Sequence, residues 1–430
     1  MTSTLVKEIH DKYADDAADQ SIDVSWKILA PKKPVAAGSG NLRLPPLVSL
    51  ASRRIKSAAE NLEDLRKFSQ SITELDLSNN EISSWEEVMK ILECLTSLKH
   101  LNLSFNPLSS VLNADHCKHP YPQLTHLVLN GCQASWDTLF IVLDTLPKLK
   151  ELHLSLNSYD CVKLPMTQTN NDAKTFRTYD TVETLHMNKT DITKWCEIGK
   201  LGNMFPKLQN LVVTENKLED FSIDELGTNA DTFPNLKTLS VSNTLVSNWE
   251  AVQELASFPN LTEIRLQGIP LLQDYNEKQR RMFVLARLPA ITRLNGSSVK
   301  DLEREDAERA FLRHYMNKAE KPARFDELEM KHGKLNALVE VDLSSHKQTT
   351  VQIKFENKVK VFRVDLNWTL SEFKERLKGF TDLPPRKFTV SHFSGDAPIY
   401  LHMDHATGRS RRLHSYRVDD GDIFVLTRKA

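Results

Sequence analysis

"SITELDLSNNEISSWEEV", residues 71–88, sets Leu75, Leu77 and Asn80 in the order L-x-L-x-x-N. The order recurs. Aligned on L-x-x-L-x-L-x-x-N, the chain offers "ITELDLSNN", "LKHLNLSFN", "LTHLVLNGC", "LKELHLSLN", "VETLHMNKT", "LQNLVVTEN", "LKTLSVSNT" and "LTEIRLQGI". The second apolar position falls at Leu75, Leu101, Leu127, Leu152, Leu185, Leu211, Leu239 and Ile264, so the spacings are 26, 26, 25, 33, 26, 28 and 25 residues. A fainter unit, "LPPLVSLAS" at 44–52, reads as a cap on the N-terminal side.

Matches this regular identify leucine-rich repeats. Apolar residues at the first, fourth and sixth motif positions point inward from a short strand and a bend, and only stacked neighbours bury them. The Asn after the strand (Asn80, Asn106, Asn157, Asn216) suits the bend because its amide satisfies enclosed backbone groups. Cys132, Thr190 and Thr244 replace it, and Ile269, which has no such group, marks the eighth unit as terminal.

The second half of several repeats carries a Trp at one phase, Trp85, Trp136, Trp195 and Trp249, followed by apolar residues at helical spacing. These tryptophans read as convex-side core rather than a ligand platform. Ser84 with Glu87 predicts a capping box. Pro147, Pro206, Pro234 and Pro259 each stop a helix two residues before the next strand leucine. In "GIPLLQDYNEKQRRMFVLARLPAITRLNGSSV", 268–299, a helix with Phe283, Val284 and Leu288 covers the open end, and "VKDLEREDAERAFLRHYM" reads as a charged helix.

From about residue 348 the period changes. "TTVQIKFENKVKVFRVDL" alternates on both sides of "ENK" as a β-hairpin. "TLSEFKERLKGF" is a helix with Thr369 as N-cap and Glu372 closing a capping box, and "KFTVSHFS" is a further strand. "LHSYRVDDGDIFVLT" sets the turn Asp420-Gly421 before a last strand, and this element order matches a ubiquitin-like fold. The ending Lys429-Ala430 lacks Gly-Gly, so the domain is expected to dock rather than be conjugated. The expected architecture is an α/β leucine-rich-repeat solenoid followed by a small α+β ubiquitin-like domain. Its expected divisions are 1–43 as a partly disordered extension, 44–300 as capped repeats, 301–347 as a helical spacer and 348–430 as the ubiquitin-like domain.

Composition narrows the function. With 56 basic and 57 acidic residues the formal charge is −1, so no bulk field recruits nucleic acid or a membrane surface. The N-terminus "MTSTLVKEIHDKYADDAADQ" has no apolar core of a secretory leader. The five cysteines are odd in number and lack CxxC spacing, which fits a reducing cytosolic setting. No phosphate loop, nucleophile elbow, zinc-protease helix or kinase signature is present, and no Cys follows position 196 to serve as a ligase nucleophile. Neither an enzyme nor a cofactor is expected.

What remains is a polar strip on the concave strand face. Its expected protein-binding members are Glu74, Asp76, His100, Asn102, His126, Glu151, His153, His186, Asn210, Glu263 and Arg265, with Val128, Thr184, Val212 and Ser240 among them. The histidines read as repeat-derived polar surface, and no metal is expected. Eight strands about 4.8 Å apart, with about 16 Å of strand exposed, offer on the order of 600 Å². That falls below the roughly 800 Å² per partner of a standard interface, so edge loops or the ubiquitin-like domain are expected to contribute. The longest is "SYDCVKLPMTQTNNDAKTFRTYD" in the 33-residue unit.

The order of repeats, the cap, "EREDAERAFLRHY", "HGKL…EVDL" and a ubiquitin-like end resembles the tubulin-folding cofactor E family, over about residues 40–430. It is closest to the E-like branch, because the first 45 residues hold no CAP-Gly motif to grip an acidic tubulin tail. The resemblance implies a cytoplasmic, cytoskeleton-associated binder of α-tubulin or the tubulin heterodimer, acting in dissociation and turnover. It also implies a link to the proteasome through the ubiquitin-like domain. The alternative is a proteasome-linked adaptor whose repeats hold a different client.

Overall fold

The nine-residue motif is realised as a ladder of three-residue parallel strands. The computed structural model describes residues 3–13, 44–117, 119–166, 176–222, 228–336, 348–394, 397–402 and 411–429. These fall in two units, 1–336 and 337–430. Part of the long loop and residues 337–347 of the expected spacer lie outside the described residues.

The first unit opens with β1 (Ser3–Thr4) and α1 (Leu5–Tyr13), followed by β2 (Leu47–Ser49), β3 (Ile55–Ser57), α2 (Leu62–Arg66), β4 (Glu74–Asp76) and α3 (Trp85–Cys94). Next come β5 (His100–Asn102), β6 (His126–Val128), α4 (Trp136–Asp144), β7 (Glu151–His153), β8 (Thr184–His186) and α5 (Trp195–Met204). The remaining repeats hold β9 (Asn210–Val212), α6 (Asn229–Thr232), β10 (Thr238–Ser240), α7 (Trp249–Glu254) and β11 (Glu263–Arg265). The cap comprises α8 (Glu277–Arg287), β12 (Arg293–Leu294), β13 (Ser297–Ser298), α9 (Asp301–Tyr315) and α10 (Arg324–His332). The sheet has eleven strands in the order β13-β12-β11-β10-β9-β8-β7-β6-β5-β4-β2, parallel except for the final β12–β13 pair. Every motif leucine is in register with the next, Leu75 opposite Leu101 and Leu101 opposite Leu127.

Buried side-chain amides lock one repeat to the next. Asn106 Nδ2 donates to Leu77 O (2.8 Å) and Leu103 O (2.9 Å), while its Oδ1 accepts from Ile82 N (3.0 Å). Asn157 and Asn216 do the same in their bends. The substitutes serve part of the set: Cys132 Sγ lies 3.1 Å from Leu103 O, and Thr244 Oγ1 donates to Val241 O at 2.9 Å.

On the convex side each Trp is the first residue of its helix. Trp85 and Trp195 are fully buried, and their indole N–H groups reach forward, to Leu108 O (3.0 Å) and Asn229 Oδ1 (3.0 Å). Trp136 does likewise to Cys161 O at 2.9 Å. The third helical residue reaches backward. Glu87 Oε2 accepts from Ala58 N (2.7 Å), Thr138 Oγ1 from Leu112 N (3.4 Å) and Glu197 Oε2 from Val162 N (2.7 Å). This corrects the expected capping box at Ser84. Ser84 caps α3 by accepting from Glu86 N, but Glu87 serves the preceding repeat by accepting from its part-buried Ala58 N–H.

Residues 3–13 lie on the N-terminal side of the stack, with β1 parallel to β3 and Leu5 and Ile9 fully buried. At the other end α9 and α10 pack on α8. The Arg287 guanidinium, only 1% exposed, lies 3.9 Å from the Trp249 ring centroid and 4.8 Å from that of Phe311, and donates to Tyr315 Oη at 2.7 Å. Glu308 on α9 is buried against Lys331 (2.7 Å) and His332 (2.6 Å) of α10. Burial alone would raise its carboxyl, but those two hydrogen bonds more than offset it and hold the group below the usual range.

The second unit is a five-stranded sheet in the order β15-β14-β18-β16-β17: β14 (Gln348–Phe355), β15 (Lys358–Asp365), β16 (Phe388–Ser394), β17 (Ala397–His402) and β18 (Ile423–Arg428). Two helices, α11 (Leu370–Arg376) and α12 (Lys378–Thr381), precede β16. The capping box between Thr369 and Glu372 is present. The D-G-D run has a physical reason. Asp420 Oδ1 accepts from Thr350 N (2.9 Å), Gly421 at φ +88° donates its N–H to Thr350 O (2.8 Å), and buried Asp422 meets His392 Nε2 at 2.6 Å. The turn thereby pins β14 beside β18 in the parallel pairing that the fold requires.

Replacing Asn106 by Leu strands one buried N–H and two carbonyls, so Asn106→Leu is expected to cost about 2–4 kcal/mol. Urea unfolding followed by circular dichroism measures this, and a loss under about 1 kcal/mol would mean water satisfies the bend instead.

Candidate functional site

Strand alternation decides which residues form the concave wall. In β4 to β9 the central residue is buried and the two flanking it are half-exposed. Register stacks the flanking residues in two columns. One runs Glu74, His100, His126, Glu151, Thr184, Asn210, and the other Asp76, Asn102, Val128, His153, His186, Val212. Glu263 and Arg265 continue these columns at β11. The one departure is Ser240, which is 4% exposed: a short side chain in register between Val212 and Arg265 sits below the surface its neighbours make.

Three chemistries follow one another along the wall. At the N-terminal end Asp76 accepts from Ser49 Oγ (3.1 Å) and Asn102 Nδ2 (3.0 Å), and Asn102 Oδ1 accepts from Ser104 Oγ (2.7 Å). At the C-terminal end Glu263 faces Arg265 (3.4 Å) and Arg293 of β12 (3.5 Å). Between them His100 and His126 lie with ring centroids 3.9 Å apart, and His153 and His186 stack at 4.0 Å and 6°. A shallow depression of about 300 Å³ spans this central region, lined by Glu74, Asp76, His100, His126, Glu151 and His153 among others.

Glu151 joins the two histidine pairs. Its Oε1 lies 2.6 Å from His153 Nε2 and its Oε2 3.5 Å from His126 Nε2. Burial would raise its carboxyl, yet the His153 hydrogen bond and the surrounding imidazoles keep it below the usual range. His126 is lowered by burial and by His100. His186 is pushed down to about 4, by burial first and then by His153. Glu151, His153 and His186 thus gather, with one potential ligand atom from each within 4.8 Å of the others. From sequence alone these three read as polar surface.

The strip is narrower than eight long strands implied. Three-residue strands about 3.3 Å per residue give a width near 10 Å, and the nine of them, β2 and β4 to β11, about 4.8 Å apart give a length near 40 Å, so the wall offers on the order of 400 Å². The rim must supply the rest. The residue before each bend Asn or its substitute has positive φ: Asn79, Phe105, Gly131, Leu156, Lys189, Glu215, Asn243 and Gly268. Its N–H bonds the next repeat, as Phe105 N does Asn130 O at 2.8 Å. Most of these residues are small or polar, but Phe105 is 52% and Leu156 39% exposed. The Phe105 ring covers Gly131, where a Cβ would approach it to 2.8 Å. Sequence reading passed over both. The signal was available in "LSFN" and "LSLN", where a bulky apolar residue takes a left-handed position that favours Gly or Asn.

Because folded His186 resists protonation while the unfolded residue takes a proton near 6.5, the fold loses stability as pH falls from about 6.5 toward 4. His186→Phe retains a ring for stacking and removes that proton. Urea midpoints at pH 7 and pH 5 are expected to differ less in the variant than in the parent, and equal differences would contradict the assignment.

Known proteins bear on this arrangement. The model of Leucine Rich repeats (2 copies) matches residues 70–116. The tubulin-specific chaperone cofactor E-like protein of Rattus norvegicus is 39% identical over 388 residues, covering 89% of this chain and 88% of its own. Its Homo sapiens counterpart is 38% identical over 391 residues, covering 90% and 89%. The Caenorhabditis elegans protein of that name is 29% identical over 435 residues, covering 99% and 95%. With identity spread across both units, the chain belongs to the tubulin-specific chaperone cofactor E-like family.

Proposed function

We propose that this chain is a cytoplasmic, non-enzymatic tubulin-binding regulator that draws tubulin heterodimers apart and promotes their turnover. The observation that carries the reading is family membership over nearly the whole chain, since the relatives at 38–39% identity are named as tubulin-specific chaperone cofactors. The wall supports it physically. An open polar strip edged by Phe105 and Leu156 is the arrangement in which a few apolar anchors supply affinity and the polar surround supplies register. A protein that binds a free tubulin subunit more tightly than the paired one shifts the heterodimer equilibrium by mass action, with no nucleotide chemistry of its own.

The ubiquitin-like unit is the part we assign to coupling with a degradation machinery such as the proteasome. Its edge strand β15 exposes Val359 and Val361, which alternate with Lys358 and Lys360, an apolar pair with basic neighbours on a sheet edge.

Surface plasmon resonance of the full chain against purified α/β-tubulin tests the reading. Saturable binding is expected, with Phe105→Ser weakening it by about tenfold or more while the melting temperature stays unchanged. Preformed microtubules are expected to lose polymer mass when the chain is added. No association of the full chain with tubulin would end the proposal. Full affinity in Phe105→Ser would remove the rim from it.

A further inference from the structure

The concave wall carries a second chemistry besides its polar docking surface. We propose that Glu151, His153 and His186 form a binding site for a zinc-class divalent ion, with a free coordination position toward the open groove. The geometry is built by the sheet. Glu151 and His153 are two residues apart on β7 and so share its concave face, and His186 on β8 lies in register with His153. Adjacent strands about 4.8 Å apart put three donor groups at the corners of a small triangle, and one potential ligand atom from each lies within 4.8 Å of the others.

The donor set suits the ion. Two imidazole nitrogens and one carboxylate oxygen are what zinc takes in open sites, at about 2.0–2.2 Å each, which places donors roughly 3.4 Å apart in a tetrahedral shell. Glu151 Oε1 and His153 Nε2 are 2.6 Å apart, closer than that because a shared proton holds them, and an ion entering there displaces it. The His153 and His186 rings lie parallel with centroids 4.0 Å apart, so their nitrogens converge on one ion only when side-chain rotation tilts the rings out of the stack.

The surroundings agree. The His186 ring is half-buried, lies flat on His153 and makes no hydrogen bond among the described residues, so its lone pair is uncommitted. His126 stands beside the other carboxylate oxygen. Thr125 Oγ1 donates to Lys99 O at 3.2 Å and so accepts from His126 Nδ1 at 2.8 Å, which turns the unprotonated Nε2 of the neutral ring toward Glu151 Oε2 at 3.5 Å. The other histidine pair has no equivalent: the His100 and His126 rings are close but tilted by 32°, and they form no such three-donor group with an acid among the described residues.

The test needs only the chain itself, so it succeeds or fails independently of tubulin binding. Full-length protein stripped with chelator is titrated with zinc chloride by calorimetry, and with cobalt(II) by visible absorption. About one ion per chain is expected, with the intense visible band of a low-coordinate cobalt complex. His186→Ala, His153→Ala and Glu151→Gln should each weaken binding by at least about tenfold. His119→Ala, at an exposed histidine outside the strip, should leave it unchanged. Thermal melts by circular dichroism confirm that every variant is folded; half-exposed wall positions make that the expected result. Wild-type protein taking up no more zinc than the His153→Ala/His186→Ala double variant would overturn the site, as would binding that depends equally on His119.

Discussion

A strand of three residues followed by a bend leaves carbonyls and N–H groups pointing into a space water does not enter, and each repeat must close that space with help from its neighbours. Asn106 illustrates the constraint: one amide satisfies Leu77 O, Leu103 O and Ile82 N, groups from two different repeats. The same demand recurs on the convex side, where the first helical residue reaches forward and the third reaches back. No repeat is complete alone, so the stack behaves as a nearest-neighbour chain. Register then follows, because an amide bonding across two repeats tolerates no slip of one residue.

This explains which features were legible in the sequence. The eight motifs, the tryptophans at one phase and the apolar positions of the cap are set by burial, and burial writes a period that can be counted. The Thr369–Glu372 box and the D-G-D turn are local, so a short window contained them. Ser84–Glu87 has the same local pattern as Thr369–Glu372 and a different outcome. Glu87 accepts from the Ala58 N–H of another repeat, and that competing demand is 29 residues away in sequence. Residues 3–13 were illegible for a related reason, since a short amphipathic helix reads the same whether free or docked. Ser240 shows the limit on the wall itself: its column was correct, but exposure depends on the lengths of the cross-strand neighbours.

The cap solves a different problem. A solenoid end must shield the last apolar face from water, and here the shield contains charge. Arg287 lies among Trp249, Phe311 and Tyr315 with burial pulling its guanidinium below the ordinary value, and its cation is stabilised by ring faces and oxygen acceptors rather than by an acid. Glu308 is its counterpart on the outer layer, a buried acid held by three basic groups of α10. Buried pairs of this kind contribute little net stability, but removing one partner is costly. They therefore fix where α9 and α10 sit rather than how strongly they adhere.

The concave columns stand outside all of these requirements. Asp76 and Asn102 accept from Ser78 N and Ser104 N past their strands, but among the described residues the histidines and Glu151 bond neither the bend amides nor the convex ladder, and the central strand residue carries the burial. Chemistry placed there costs the fold little, so the wall can hold an acid cluster, four histidines and an arginine–glutamate group in succession. The cost is electrostatic: desolvation and a neighbouring imidazole depress His126, and desolvation and the stacked His153 depress His186 to about 4. A fold under no structural demand to place imidazoles in that position has nonetheless stacked two of them beside a carboxylate. Repeat architecture explains why the three groups are near one another. It does not supply a stability reason for their being these residue types, and that asymmetry is what directs attention to binding at this point of the wall.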